Sequence, residues 1–272
     1  MPLVAMTLEM GSLGNDVAQG VAKELGQEVV HHEIIDHLAD KMRLRKSHVI
    51  RFLDKKETIF DRLTADRTST SIYTADKIFD IAQRKGGAVI HGWGAAQLLR
   101  PVGHTVRVRV CAPVTLRVKR MMERLNTQDE EVVRKEVDFS DEAHGAIIRR
   151  HFGVNWQDPE HYDLALNTER VPVEECIEEI LRLVRQTAFE ETPQSQATLS
   201  NLALATHVRA ALRTDLRTRN VNVLIESDAG RVTLSGIVLG DMDLNTLPEV
   251  AGAIPGVNVV QNLVRLEKAP LN

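Results

Sequence analysis

Residues 9 to 16 of the chain read Glu-Met-Gly-Ser-Leu-Gly-Asn-Asp. An apolar run, Leu3 to Met6, precedes them, and a helix-like stretch with Val17, Ala18, Val21, Ala22 and Leu25 follows. Strand, glycine loop and helix in that order suit the binding of phosphate. Small residues let the backbone close on the anion, and N–H groups at the helix start face it. Gly11, Ser12, Leu13, Gly14, Asn15 and Asp16 are therefore candidate phosphate-binding residues. The loop holds no lysine, whereas the usual G-x-x-x-x-G-K-[ST] pattern sets one on the β- and γ-phosphates. Asp16, in the first helical turn, gains from the helix dipole and so competes for the place an incoming phosphate would take.

Other side chains could supply positive charge. Arg117, Arg120 and Arg124 recur at spacings of three and four, which sets them along one helix face, and Arg149 and Arg150 are adjacent further on. Basic residues in such a pattern also describe a solvated face, and for Arg117 and Arg124 that is the favoured reading. His31, His32 and His37 cluster, but no cysteine or carboxylate completes a ligand set at a recognised spacing, so no metal centre is expected. Trp93, between two glycines, is a candidate for stacking on a base, while Trp156 reads as a packing residue. Turn formation and capping explain Asp158, Asp163, Asn167 and Thr168. Dinucleotide G-x-G-x-x-G, H-E-x-x-H and G-x-S-x-G patterns are absent.

These residues need a frame. At 272 residues and 43% hydrophobic content, the chain has room for a large domain and a small one, each with a core. With 34 basic against 38 acidic residues the formal charge is -4, which gives no bulk basicity for nucleic acid or an anionic membrane. No apolar run approaches the ~20 residues of a membrane span, and no export signal is legible at the start, so a cytoplasmic protein is expected. Cys111 and Cys176 are too few and too isolated for a disulfide framework.

Short apolar runs at Leu3 to Met6, Gln27 to Val30, Ala88 to Gly94, Val106 to Pro113 and Tyr162 to Thr168 alternate with helical patterns, ending with Glu174 to Arg185. That alternation predicts an α/β domain over residues 1–188, a mostly parallel sheet with helices on both faces. Ligands in such folds bind at the carboxyl ends of strands, where the Gly11 loop lies. Glu191 to Asn201 is polar, contains a proline and lacks a hydrophobic period, so residues 189–200 read as a linker. Beyond it, a helix (about Leu202 to Leu216), two strands joined at Asp228-Ala229-Gly230, a second helix and a last strand predict a small α+β domain of αββαβ order over residues 201–268.

The first domain resembles the cytidylate kinase-like family of P-loop nucleotide kinases. The resemblance rests on Gly11-Ser12, on Val89 to Ala95 (VIHGWGA), on Cys111 to Arg124, on Arg149 to Thr168 and on the helix after them. Residues 201–268 resemble a BON domain through their element order and the GRVTLSG and IPGVNVV segments. The first resemblance implies ATP with Mg²⁺ as cofactors and CMP or a related nucleoside monophosphate as phosphoryl acceptor. It sets Arg120 and Arg149 nearest the reacting phosphates, Asn167 near the base, and His32, Trp93, His144 and Arg150 on the acceptor side. Leu13 and Gly14 stand where nucleotide kinases have glycine and lysine, and Trp93, His144 and His32 stand where relatives have arginine. A histidine is charged only near or below its ordinary value of ~6.5, so these replacements lower the positive field at neutral pH. Three functions follow as expectations: a nucleoside-monophosphate kinase, a nucleotide-responsive regulator without turnover, or a scaffold whose BON-like part binds a protein or phospholipid partner.

Overall fold

Leu3, Val4, Ala5 and Met6 are apolar on both sides of their strand, which suits a position inside a sheet covered on both faces. The computed structural model, which describes residues 2–30, 67–92, 94–239 and 242–267, puts them there. Strand β1 (Leu3–Leu8) lies between β3 (Ala88–His91) and β4 (Thr105–Cys111), with β2 (Val29–Val30) and β5 (Leu164–Asn167) at the edges. All pairings in this five-stranded sheet are parallel; Ala5 lies opposite Ile90 on one side and Arg107 on the other.

Helices cover both faces. Val4, Met6, Val106, Val108 and Val110 meet Val17, Ala18 and Val21 of α1 (Gly14–Leu25), together with Cys176 and Ile180 from a later helix, Val173–Val184. On the opposite face Leu3, Ala5 and Ile90 meet Ile78, Phe79 and Ile81 of α2 (Arg67–Ala82) and Ala95 and Ala96 of α3 (Ala95–Leu98). Two helices follow β4. Helix α4 (Val114–Leu125) packs Val118 on Val133 and Val137 of the long α5 (Glu130–Phe152), and α6 (Val173–Val184) closes the first domain.

Most of the expected linker, residues 193–200, is helical. Residues from Pro193 belong to α7 (Pro193–Thr214), 22 residues long, opened by a capping box between Thr192 and Ser195 with proline in its first turn. One side of α7 sends Leu199, Ala203 and Ala210 into the core with α2 and the parallel sheet. Leu204, Val208 and Leu212, roughly opposite at 3.6 residues per turn, enter a separate core with β6 (Leu224–Asp228), β7 (Arg231–Leu239), α8 (Thr246–Gly252) and β8 (Val259–Glu267). Strand β7 pairs antiparallel with β6 and parallel with β8, the expected αββαβ order. The β6–β7 turn uses Ala229 and Gly230 at φ 45° and 85°, a two-residue connection whose positive angles match strand twist.

Candidate phosphate-binding site

Between β1 and α1 the chain makes a short loop whose shape is fixed from behind. Gly11 and Leu13 both take positive φ, 79° and 61°. The first is easy for glycine and the second is strained for leucine. Three successive carbonyls are held: that of Met10 accepts from Arg117 Nη1 at 3.3 Å, that of Gly11 from Arg120 Nη1 at 3.4 Å, and that of Ser12 from the Thr168 hydroxyl at 2.7 Å. In a planar trans peptide the C=O and the next N–H point in opposite directions. Tying back the Met10 and Ser12 carbonyls therefore turns the N–H groups of Gly11 and Leu13 away from Arg117 and Thr168. These two, with the N–H of Asn15 in the first helical turn, have no hydrogen-bond partner among the described residues. The N–H groups of Ser12 and Gly14 are used within the loop, on the Glu9 carbonyl at 3.1 Å and the Ser12 hydroxyl at 3.3 Å. Three unpaired donors at the start of a helix form an arrangement that accepts an anion's oxygens.

The charges around the loop are unequal in what they leave free. Glu9 is buried; its carboxylate accepts from Arg109 Nη2 at 2.5 Å and from the Ala112 N–H at 3.3 Å, and pairs with Arg117 Nε at 3.3 Å. Arg117, expected on a solvated face, is buried. Its Nη1 and Nη2 donate to the two oxygens of Asp141 on α5 at 3.2 and 2.7 Å, and its Nε donates to the Ala112 carbonyl at 3.0 Å. The sequence reading failed here because the neutralising carboxylates come from the end of β1 and from α5, far away along the chain. Arg120 is held differently, by Thr168 Oγ1 at 2.9 Å, the Thr168 carbonyl at 2.8 Å and the Gly11 carbonyl. These partners are all neutral, so its charge remains at the back of the loop. Arg124 is exposed.

The other expected residues fall in three places. Arg149 and Arg150 are exposed in the last turn of α5. That turn touches the end of β3: a Cβ on Gly94 would lie 2.8 Å from the Phe152 ring. His144 stands about two helical turns before Phe152, edge-on to Trp156 with ring centroids 4.6 Å apart, and burial pushes its imidazole down to about 4. It is therefore neutral at pH 7. Trp156 is buried as expected and carries the Arg109 guanidinium 5.3 Å above its ring. Leu13, Asn15 and Asp16 face solvent while Ser12 and Gly14 are buried. Asn167 is exposed and accepts from the Glu169 N–H at 2.9 Å, the turn-forming use weighed above. Asp163 does not face the loop cluster; it joins β5 to β4 through Arg107, with Nη2 donating to Oδ1 at 2.6 Å. His31, His32, His37 and Trp93 lie outside the described residues. Glu9, Arg109, Asp141 and Thr168 were not singled out as site residues by sequence. The alternation of Arg107 and Arg109 with buried valines in β4 was the one local signal.

Comparison with known proteins places these features in a wider setting. The model of the Cytidylate kinase-like family matches residues 3–170, and that of the BON domain matches residues 200–268. Among solved structures, an uncharacterized protein from Eubacterium ventriosum ATCC 27560 aligns at 19% identity with TM-score 0.52, over 68% of this chain and 98% of that one. A shikimate kinase from Acinetobacter baumannii, in complex with shikimate, aligns at 16% identity with TM-score 0.40, over 68% and 93%. A shikimate kinase from Bacteroides thetaiotaomicron aligns at 12% identity with TM-score 0.42, over 68% and 99%. The likeness to the first of these is one of fold. No curated protein matches the chain.

Proposed function

The chain belongs to the cytidylate kinase-like family and carries a BON domain, and from that premise we propose that it binds nucleotide phosphates at the Gly11–Asp16 loop and slowly transfers a phosphoryl group from ATP to CMP or a related nucleoside monophosphate. The observation that carries the reading is the loop itself. Its Met10, Gly11 and Ser12 carbonyls are held back by Arg117, Arg120 and Thr168, and the N–H groups of Gly11, Leu13 and Asn15 remain unpaired.

The residues present fit ATP as a ligand held by backbone donors. Among the described residues no group of three His, Cys, Asp or Glu could hold a metal ion. Mg²⁺ needs only one or two carboxylates besides phosphate oxygens, so in this reading it arrives on the nucleotide and neutralises charge there. Phosphoryl transfer depends on position and positive charge rather than on covalent help from the protein. Arg120 keeps its charge behind the loop, and in this reading the exposed Arg149 and Arg150 of the last turn of α5 supply further positive charge to the phosphates. Arg109 and Arg117 are neutralised by Glu9 and Asp141, and His144 is uncharged. Removing a single donor from such a site typically lowers rate by ~10²–10³, which is why the proposed turnover is slow. A cytoplasmic setting, where ATP is at hand, belongs to the same reading.

The neutralised arginines favour a second reading, a nucleotide-responsive regulator that binds without turnover. Calorimetry with ATP, CMP and Mg²⁺, followed by a coupled assay of ADP release over a panel of monophosphates, separates the two. Heat with monophosphate-dependent ADP release supports the kinase. Heat without release leaves the regulator, and no heat at millimolar nucleotide removes both.

A further inference from the structure

The helix α7 serves two cores at once. Its Leu199, Ala203 and Ala210 are buried with α2 and the parallel sheet, and its Leu204, Val208 and Leu212 are buried with the β6–β8 sheet and α8. No break separates the two sets along residues Pro193–Thr214. Polar ties fasten the same helix to the first domain along most of its length. Ser195 Oγ meets buried His104 Nδ1 at 2.8 Å, and His207 Nδ1 meets Asp76 Oδ1 at 2.6 Å. Arg213 Nε donates to Ser69 Oγ at 2.5 Å, and Thr214 Oγ1 lies 3.3 Å from Tyr73 Oη. Three of the four partners, Ser69, Tyr73 and Asp76, lie on α2. That helix leads into β3, which pairs with β1 and is followed by Gly94, packed against Phe152 of α5.

We infer that α7 makes the BON domain an integral wall of the kinase-like domain rather than a tethered module, so that the two unfold together and phosphate bound at the Gly11–Asp16 loop is felt in the BON strands. A tethered domain needs a connection that can bend without exposing apolar surface. Swinging the BON domain away would either strip Leu199, Ala203 and Ala210 from the first core or break α7 in mid-helix. Both lose buried area that nothing else covers. A ligand that binds only the native state then protects every segment that opens with the whole, wherever it lies in the chain. The ligand half of the inference rests on the proposed phosphate site; the unfolding half does not.

The test uses the full chain and its own fluorescence. Trp93 and Trp156 both precede α7, so tryptophan emission reports only on the kinase-like part. Leu234→Ala removes a fully buried side chain from the BON core. Coupling predicts that the tryptophan-reported melting temperature falls by roughly 5–10 °C, together with that of the far-ultraviolet circular dichroism. An unchanged tryptophan melt beside a second, earlier dichroism transition overturns the inference. If Leu234→Ala does not fold, Ile225→Val in the same core gives the same readout with a smaller shift. Hydrogen exchange with inorganic phosphate, and separately with CMP, supplies the second arm. At ten times the dissociation constant, amides of residues 232–238 are expected to exchange about tenfold more slowly, along with residues 11–17. Protection of the loop alone overturns the coupling. Protection of neither segment removes the phosphate site and leaves the melting result to decide the coupling alone.

Discussion

Leu13 holds a left-handed conformation at φ 61° in a loop where a glycine would hold it without strain. Such a residue costs about 1–2 kcal/mol, of which glycine's extra freedom in the unfolded chain takes back part. Leu13→Gly is expected to raise stability by about 0.5–1 kcal/mol in urea unfolding and to tighten phosphate binding measured by calorimetry. Asp16→Lys, which replaces an anion by a cation at the helix start, is expected to tighten it further; unchanged affinity in both variants would mean that phosphates bind elsewhere. Arg117 is the opposite case, a residue fully committed to the fold. Replacing it by methionine leaves Glu9 and Asp141 without their shared partner, and the expected loss is about 3–5 kcal/mol by the same urea measurement. His144 sets a pH dependence. Burial holds its folded-state value near 4, below the ordinary 6.5, so between those limits the unfolded chain binds the proton first. Stability contributed by the neutral ring is complete above pH 6.5 and lost as pH falls toward 4, about 3 kcal/mol in all. Buried His104 is shifted in the same direction. A His144→Phe variant should flatten most of that fall in a melting series from pH 7 to 4.

At the scale of elements, what was legible in the sequence followed from periodicity with a single cause. The alternating strands and helices of the first domain and the β6–β7 turn at Ala229-Gly230 each leave a one-face or short-range signature, and both could be read without a structure. Helix α7 could not. Its two apolar stripes lie on opposite sides and erase each other's period, while Thr192, Pro193 and Ser195, which start the helix, look like linker residues when read alone. The cap is real by its bonds: Ser195 N–H donates to Thr192 Oγ1 at 3.1 Å and Thr192 N–H to Ser195 Oγ at 3.0 Å. Thr192→Ala is therefore expected to lower the melting temperature by an amount equivalent to about 1 kcal/mol, where a mobile linker would show no change. The loop itself was legible from its glycines, but what shapes it was not. Arg117, Arg120 and Thr168 reach Met10, Gly11 and Ser12 from helices and strands that only the sheet order brings near.

At the scale of the molecule, the parallel sheet and the small mixed sheet pack on opposite sides of one shared helix, α7. Chymotrypsin acting on the native protein is accordingly expected to spare Leu199, Leu202 and Leu204, and fragments ending there in mass spectrometry would contradict the packing of α7. The order of strands carries one more consequence, for synthesis. Strand β1 is made first, yet its neighbours are β3 and β4, ending at His91 and Cys111. Until residues 88–111 have left the ribosome, the Leu-Val-Ala-Met segment has neither of its neighbours to pair with, which makes it a natural place for a chaperone to hold.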